Sequence, residues 1–277
     1  MKITILAENI ANKRGLLAEH GLSILIETGT HRILFDTGQS DVFLHNADKM
    51  GISYENLDGI VLSHGHYDHT GGLEYFTDKY NKKKVKLFMR EDALNNKVCR
   101  NSDGKTFRKI GLPWRERKLP VEYYYTKEKE EIFPDVFVVS NVPSIVAEEP
   151  LNDIFFMYSD ESGCVPVPDY MADEQMLVFR TCKGLAIFAG CAHPGILNCI
   201  EHIKKNFPGE KLYFLLAGMH LRSCSTERIE RTIGGLQQYE FEKIVPVHCT
   251  GIEAIVKMKE RMGEKCKIGE VGLRMEI

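Results

Sequence analysis

The chain has 277 residues, 43% of them hydrophobic and 27% charged, which suits a globular protein with a sizeable core and excludes a disordered chain, a fibrous repeat or a small disulfide scaffold. The formal net charge is −3, from 36 Lys+Arg against 39 Asp+Glu. That balance argues against a whole-surface nucleic-acid binder, and no run approaches the ~18 apolar residues that a membrane span needs.

The opening residues, Met1 to Asn9, reach Glu8 too early for a signal peptide and read as a first strand. Gly21–Thr28 and His31–Phe35 follow as a hairpin around Gly29-Thr30. A helix pattern covers Ser40–Met50, stopped by Gly51, and Gly59–Ser63 is a short buried strand. Gly71–Tyr80 is predicted helical. Strands are then expected at Val85–Met89, Val121–Thr126 and Val136–Ser140. Met176–Thr181 and Leu185–Ala189 form a second hairpin around Lys183-Gly184. The rest alternates: helix Gly195–Asn206, strand Leu212–Leu216, helix Ser225–Tyr239, strand Lys243–Val247, helix Ile252–Arg261, and a closing strand within Lys267–Glu276. Hairpins followed by mixed β and α units point to an α/β (α+β) architecture of two packed sheets with helices outside.

Residues 79–118 depart from the average composition, with nine Lys and five Arg against four Asp and Glu, a net +10 inside a total of −3. The stretch includes Lys82-Lys83-Lys84 and the Arg108–Lys118 segment with Trp114. It marks residues of about 78–150 as an inserted basic α/β subdomain within a single 1–277 domain, either a solvated face or a wall that receives an anionic substrate. The eight cysteines form no CxxC pair, and without a secretion signal they read as reduced thiols in a cytoplasm.

Ser63 to Gly72 reads SHGHYDHTGG, after an apolar strand and before a helix. His64 and His66 are two apart, so an extended loop turns both rings to one side. Asp68 and His69 follow as the chain turns. Four ligand-type groups within six residues suit a borderline divalent metal, zinc first, with iron or manganese as alternatives.

This motif, with Phe35-Asp36-Thr37-Gly38 upstream, resembles the metallo-β-lactamase superfamily over nearly the whole chain. The resemblance implies an αββα sandwich with two divalent metal ions at one sheet edge. It places His64 and His66 on one ion, and Asp68, His69 and a late histidine on the other. His248, in Val245-Pro246-Val247-His248-Cys249-Thr250-Gly251, matches the late ligand. The family's third histidine and bridging aspartate are not matched. The strand before them ends as Ala189-Gly190-Cys191-Ala192-His193-Pro194-Gly195, so Cys191 stands in the aspartate's place and His193 could supply the imidazole. Glu174, in Asp173-Glu174-Gln175, is a third candidate, and sequence does not rank the three.

The strings EQMLVF, GLAIFAGCAHPGI, AGMHL and PVHCTG are similar to the subfamily of 7,8-dihydropterin-6-methyl-4-(β-D-ribofuranosyl)aminobenzene-5′-phosphate synthase. That subfamily joins a dihydropterin methyl diphosphate to a ribofuranosylaminobenzene phosphate and releases pyrophosphate. The resemblance implies a phosphorylated small-molecule substrate, with Asp68 as proton acceptor, His220 as an acid/base or phosphate-binding group and Arg222 as a substrate-binding residue. Two other readings stand beside it. One is a phosphoester hydrolase or a nuclease of the same superfamily, the nuclease opposed by the net charge and the single Trp. The other is a metal- or redox-responsive binding protein in which Cys191 and Cys249 report oxidation. Oligomeric state is not legible.

Overall fold

A computed structural model describes residues 1–80, 84–146, 149, 153–158 and 165–277. Two sheets form its centre. The seven-stranded sheet runs in the order Arg274–Glu276, Lys2–Ala7, Ser23–Glu27, Arg32–Phe35, Gly59–Val61, Lys86–Met89, Glu122–Tyr125. The six-stranded sheet runs Lys243–Val247, Leu212–Gly218, Gly184–Ala189, Gln175–Thr181, Val136–Ser140, Lys129–Phe133.

Side-chain alternation explains the layering. In Lys2–Ala7, Ile3 and Ile5 face the interior between the sheets, while Leu6 joins the outer core beneath helices Val42–Lys49 and Gly72–Lys79. In Gln175–Thr181, Leu177 and Phe179 point between the sheets. Met176 and Val178 point outward, under helices Ile196–Asn206, Thr226–Leu236 and Ile252–Met262. Both faces of each sheet are therefore buried, so these strands read as continuous apolar runs. The outcome is the expected αββα sandwich.

The basic stretch is built differently from the expected insert. Lys86–Met89 and Glu122–Tyr125 belong to the seven-stranded sheet, and Lys129–Phe133 and Val136–Ser140 to the six-stranded one. The added unit is instead a four-stranded sheet in the order Pro166–Pro168, Phe155–Tyr158, Asn96–Arg100, Phe107–Lys109. It draws on both sides of the expected boundary. Charge does not report connectivity: Lys86 lies on a strand of the seven-stranded sheet, whereas Lys97, Arg100, Arg108 and Lys109 lie on the added one. Much of that charge is also paired: Lys79 with Asp48 at 2.6 Å, Arg117 with Asp78 at 2.7 Å, and Arg100 with Asp153 at 3.4 Å. Lys82 and Lys83 lie outside the described residues. Trp114 is buried in the outer core and donates to the Thr70 carbonyl at 2.7 Å, so it anchors the loop below the HGHYDH motif.

Candidate metal centre

The site lies where several strands end at one edge of the sandwich. The short strand Gly59–Val61 delivers Ser63 to His69, and Gly184–Ala189 delivers Cys191 and His193. Leu212–Gly218 delivers His220, and Lys243–Val247 delivers His248 and Cys249. The turns between are forced: Asp36, Ala192, His220 and His248 hold φ of 57°, 49°, 47° and 53°. Each non-glycine residue in that region costs about 1–3 kcal/mol, which the surrounding packing must offset.

Two glycines permit the close approach of these strand ends. A Cβ on Gly190 would meet Ser63 Oγ at 2.1 Å, and one on Gly218 would meet the Gly190 carbonyl at 2.1 Å and Cys249 Sγ at 2.8 Å.

His64, His66 and His193 form a first triad, all buried, with ring centroids 4.5, 4.8 and 4.9 Å apart. His64 Nε2 and His66 Nε2 are buried and have no hydrogen-bond partner among the described residues. An orphaned buried nitrogen costs about 1–3 kcal/mol, and a shared cation would satisfy both. The other ring faces are fixed: His64 Nδ1 meets Ser63 Oγ at 2.8 Å, and His193 Nδ1 donates to Glu174 at 2.6 Å. Burial, followed by the neighbouring imidazoles, holds His64 and His66 well below the usual histidine value. They are therefore neutral, as a ligand must be.

The second cluster gathers His69, Cys191, Asp68 and His248. His69 Nε2 lies 3.1 Å from Cys191 Sγ and 3.2 Å from His248 Nε2, and His248 Nε2 is 3.3 Å from Asp68 Oδ2. Asp36 holds His69 from behind at Nδ1, 2.7 Å away, and Asn9 does the same for His248 at 2.9 Å. Burial pushes His69 down, but the Asp36 and Asp68 carboxylates outweigh it and raise it to about 9. Burial, and then the neighbouring Cys249, Asp68 and Glu174, push the Cys191 thiol up; a cation beside it would reverse that.

The structure separates the three unranked candidates. His193 completes the histidine triad, and Cys191 joins His64 and His69 within 4.8 Å. Glu174 does not reach either cluster: its carboxylate accepts from the His193 backbone N–H as well as its ring. Its carboxylate holds the His193 ring from behind the triad. His220, expected as an acid/base or phosphate-binding group, lies with its ring tilted 4.7 Å from that of His193 and edge-on 5.5 Å from that of Phe155. It does not line the cavity of about 510 Å³ that His248, Arg222, Asn9 and Thr250 line. The exposed Arg222 lines that cavity.

Several residues of the site carry no sequence signal. His20, in a polar loop, sits 3.2 Å from Asp68 Oδ2 and 4.9 Å ring-to-ring from His248. Lys97 is buried and bound to Asp169 and Asp173, and Asp173 accepts the Gly65 N–H at 2.7 Å. Burial disfavours the Lys97 ammonium, but the two carboxylates outweigh it. Phe155, from the added sheet, packs 5.3 Å from His66 and 5.0 Å from His193, and so covers the triad with an apolar ring.

Comparison with known proteins agrees with this geometry. A family model described as the metallo-beta-lactamase superfamily matches residues 17–87. The chain is 32% identical over 266 residues to the 7,8-dihydropterin-6-methyl-4-(beta-D-ribofuranosyl)-aminobenzene-5′-phosphate synthase of Methanocaldococcus jannaschii, covering 92% of this chain and 89% of that protein. The chain belongs to the metallo-β-lactamase superfamily. A second relative from the same organism, the uncharacterized protein MJ0448, is 33% identical over 93% of this chain and 94% of its own. The solved structure of Tm1679, a metal-dependent hydrolase of the superfamily, superposes with a TM-score of 0.85 at 31% identity, covering 100% of this chain and 99% of that one. Within the superfamily, this chain therefore shares nearly its full length with the synthase. Among the described residues no helix is long and apolar enough to cross a membrane.

Proposed function

We propose that the protein is a metal-dependent transferase that condenses a dihydropterin methyl diphosphate with a ribofuranosylaminobenzene phosphate and releases pyrophosphate. The observation that carries this reading is the ligand edge itself. Two adjacent sets of buried donors lie beside an open cavity, in a chain 32% identical to the named synthase over 92% of its length.

His64, His66 and His193 would hold one divalent ion, and Asp68, His69, Cys191 and His248 the other, zinc being favoured by the mixed N, O and S donors. The ions would supply Lewis-acid stabilisation of the departing diphosphate. The chain's own residues do the rest. Arg222, exposed at the cavity beside His248, binds a phosphate of the substrate. Glu174, Asp36 and Asn9 orient the imidazoles from behind. Phe155 excludes water over the histidine triad, so that the attacking carbon or nitrogen of the co-substrate meets less competition from solvent. Asp68 is held ionised, because the neighbouring His69, His20 and His248 outweigh its burial. The Asp68 oxygen not engaged by the ion would take the proton that the attacking group releases.

The 31% identity to a metal-dependent hydrolase favours one second reading, hydrolysis of a phosphoester at the same edge. A purified, zinc-loaded protein given both substrates separates the two. Pyrophosphate appearing with the coupled product supports condensation, and free phosphate without coupling supports hydrolysis. Equal rates for the wild type and His66→Ala would remove both.

A further inference from the structure

Leu212–Gly218 lies between Gly184–Ala189 and Lys243–Val247, and all three strands run parallel, with Ala189 opposite Ala217 and Gly218 opposite Val247. Cys191, His220 and Cys249 are each the second residue past the end of one of these strands. The sheet therefore lines up the three side chains at one level, side by side. Their ligand atoms all lie within 4.8 Å of one another.

We propose that Cys191, His220 and Cys249 form a third, thiolate-rich position for a zinc-type divalent cation, next to the two positions described above. The proposal rests on the metal-centre reading of this edge, because Cys191 is shared with the His64–His69 cluster.

The surroundings fit a ligand set better than core filling. Cys199 and Cys266 pack in the apolar layer under the helices and Cys99 in the small added core, whereas Cys191 and Cys249 belong to none of these apolar clusters. The Cys249 sulfur is fixed by the His220 N–H at 3.3 Å and faces the bare Gly218. His220 Nδ1 is buried and has no hydrogen-bond partner among the described residues. The left-handed backbone at His220 and at Ala192, beside Cys191, is the cost of turning these groups together. Two sulfurs and one imidazole select zinc or cobalt over magnesium or manganese. On binding, each thiol gives up its proton to solvent and becomes a thiolate.

The test is cobalt(II) loading of the full chain under reducing conditions, with elemental analysis and the near-ultraviolet cobalt–thiolate absorption as readouts. The wild type is expected to take about three equivalents. Cys249→Ser should lose about one equivalent and about two thirds of the thiolate band, while Cys199→Ser changes neither. His220→Ala, which keeps both sulfurs, should also lose about one equivalent, and serves if Cys249→Ser fails to fold. Wild-type stoichiometry and band intensity retained in both Cys249→Ser and His220→Ala would overturn the third position and leave the other two intact. A wild type that binds no cobalt would overturn all three.

Discussion

Glu174 accepts a hydrogen bond from His193 Nδ1 at 2.6 Å, which turns the other ring nitrogen of His193 toward His64 and His66. A carboxylate at this place can only accept, so it also fixes which nitrogen of the ring carries the proton. Glu174→Gln, able to donate instead, should lower metal affinity at the triad about 10–100-fold. Metal titration monitored by competition with a chelator checks this. An affinity within twofold of the wild type would contradict the supporting role.

Lys97 is expected to matter for stability. Replacing it with Met leaves Asp169 and Asp173 buried and uncompensated, at a cost of about 3–5 kcal/mol. Urea unfolding of Lys97→Met measures it. A loss under about 1 kcal/mol would show that the buried pair is better solvated than its exposure implies.

Phe155→Ala should leave metal content unchanged but shift the products. With the ring removed from His66 and His193, water reaches the reacting groups, and the ratio of hydrolysis to condensation rises. An unchanged ratio at wild-type metal content would count against the covering role.

The metal-free protein should have a distinctive pH profile. His64 and His66 are held well below their ordinary 6.5, so the unfolded chain takes up protons there that the native state refuses. Their contribution is present above pH 6.5 and falls as pH drops below it, by up to about 1.4 kcal/mol per pH unit for each group. His69, raised to about 9, works in the opposite sense. Its stabilisation is complete below 6.5 and is lost as pH rises through 9. From these three groups alone, thermal melts of chelator-treated protein should peak near pH 6.5. A melting temperature that climbs steadily from pH 5 to 9 would contradict this assignment.

The main sandwich and the HGHYDH cluster were legible because each is local. Apolar runs such as Gly59–Ser63 and Leu212–Leu216 announce strands buried on both faces, and four ligands within six residues need no tertiary information. The added sheet was not legible. Its strands Phe107–Lys109 and Pro166–Pro168 are three residues long and only exposed or half-buried, so no alternation builds up. The roles of Cys191, His193 and Glu174 depended on a turn with left-handed Ala192, which brings the Cys191 sulfur and the His193 ring to different clusters. His20 and Lys97 acquire their partners only through contacts across the fold, from 48 residues away for His20 with Asp68 and 72 or more for Lys97 with its carboxylates.

Elemental analysis of the purified protein is the most direct measurement of the metal centre, made on the wild type beside His64→Ala and His248→Ala. The wild type should carry at least two equivalents of a divalent transition metal, and each variant should carry less while remaining folded. A folded wild type devoid of metal, or variants that retain the full complement, would contradict it.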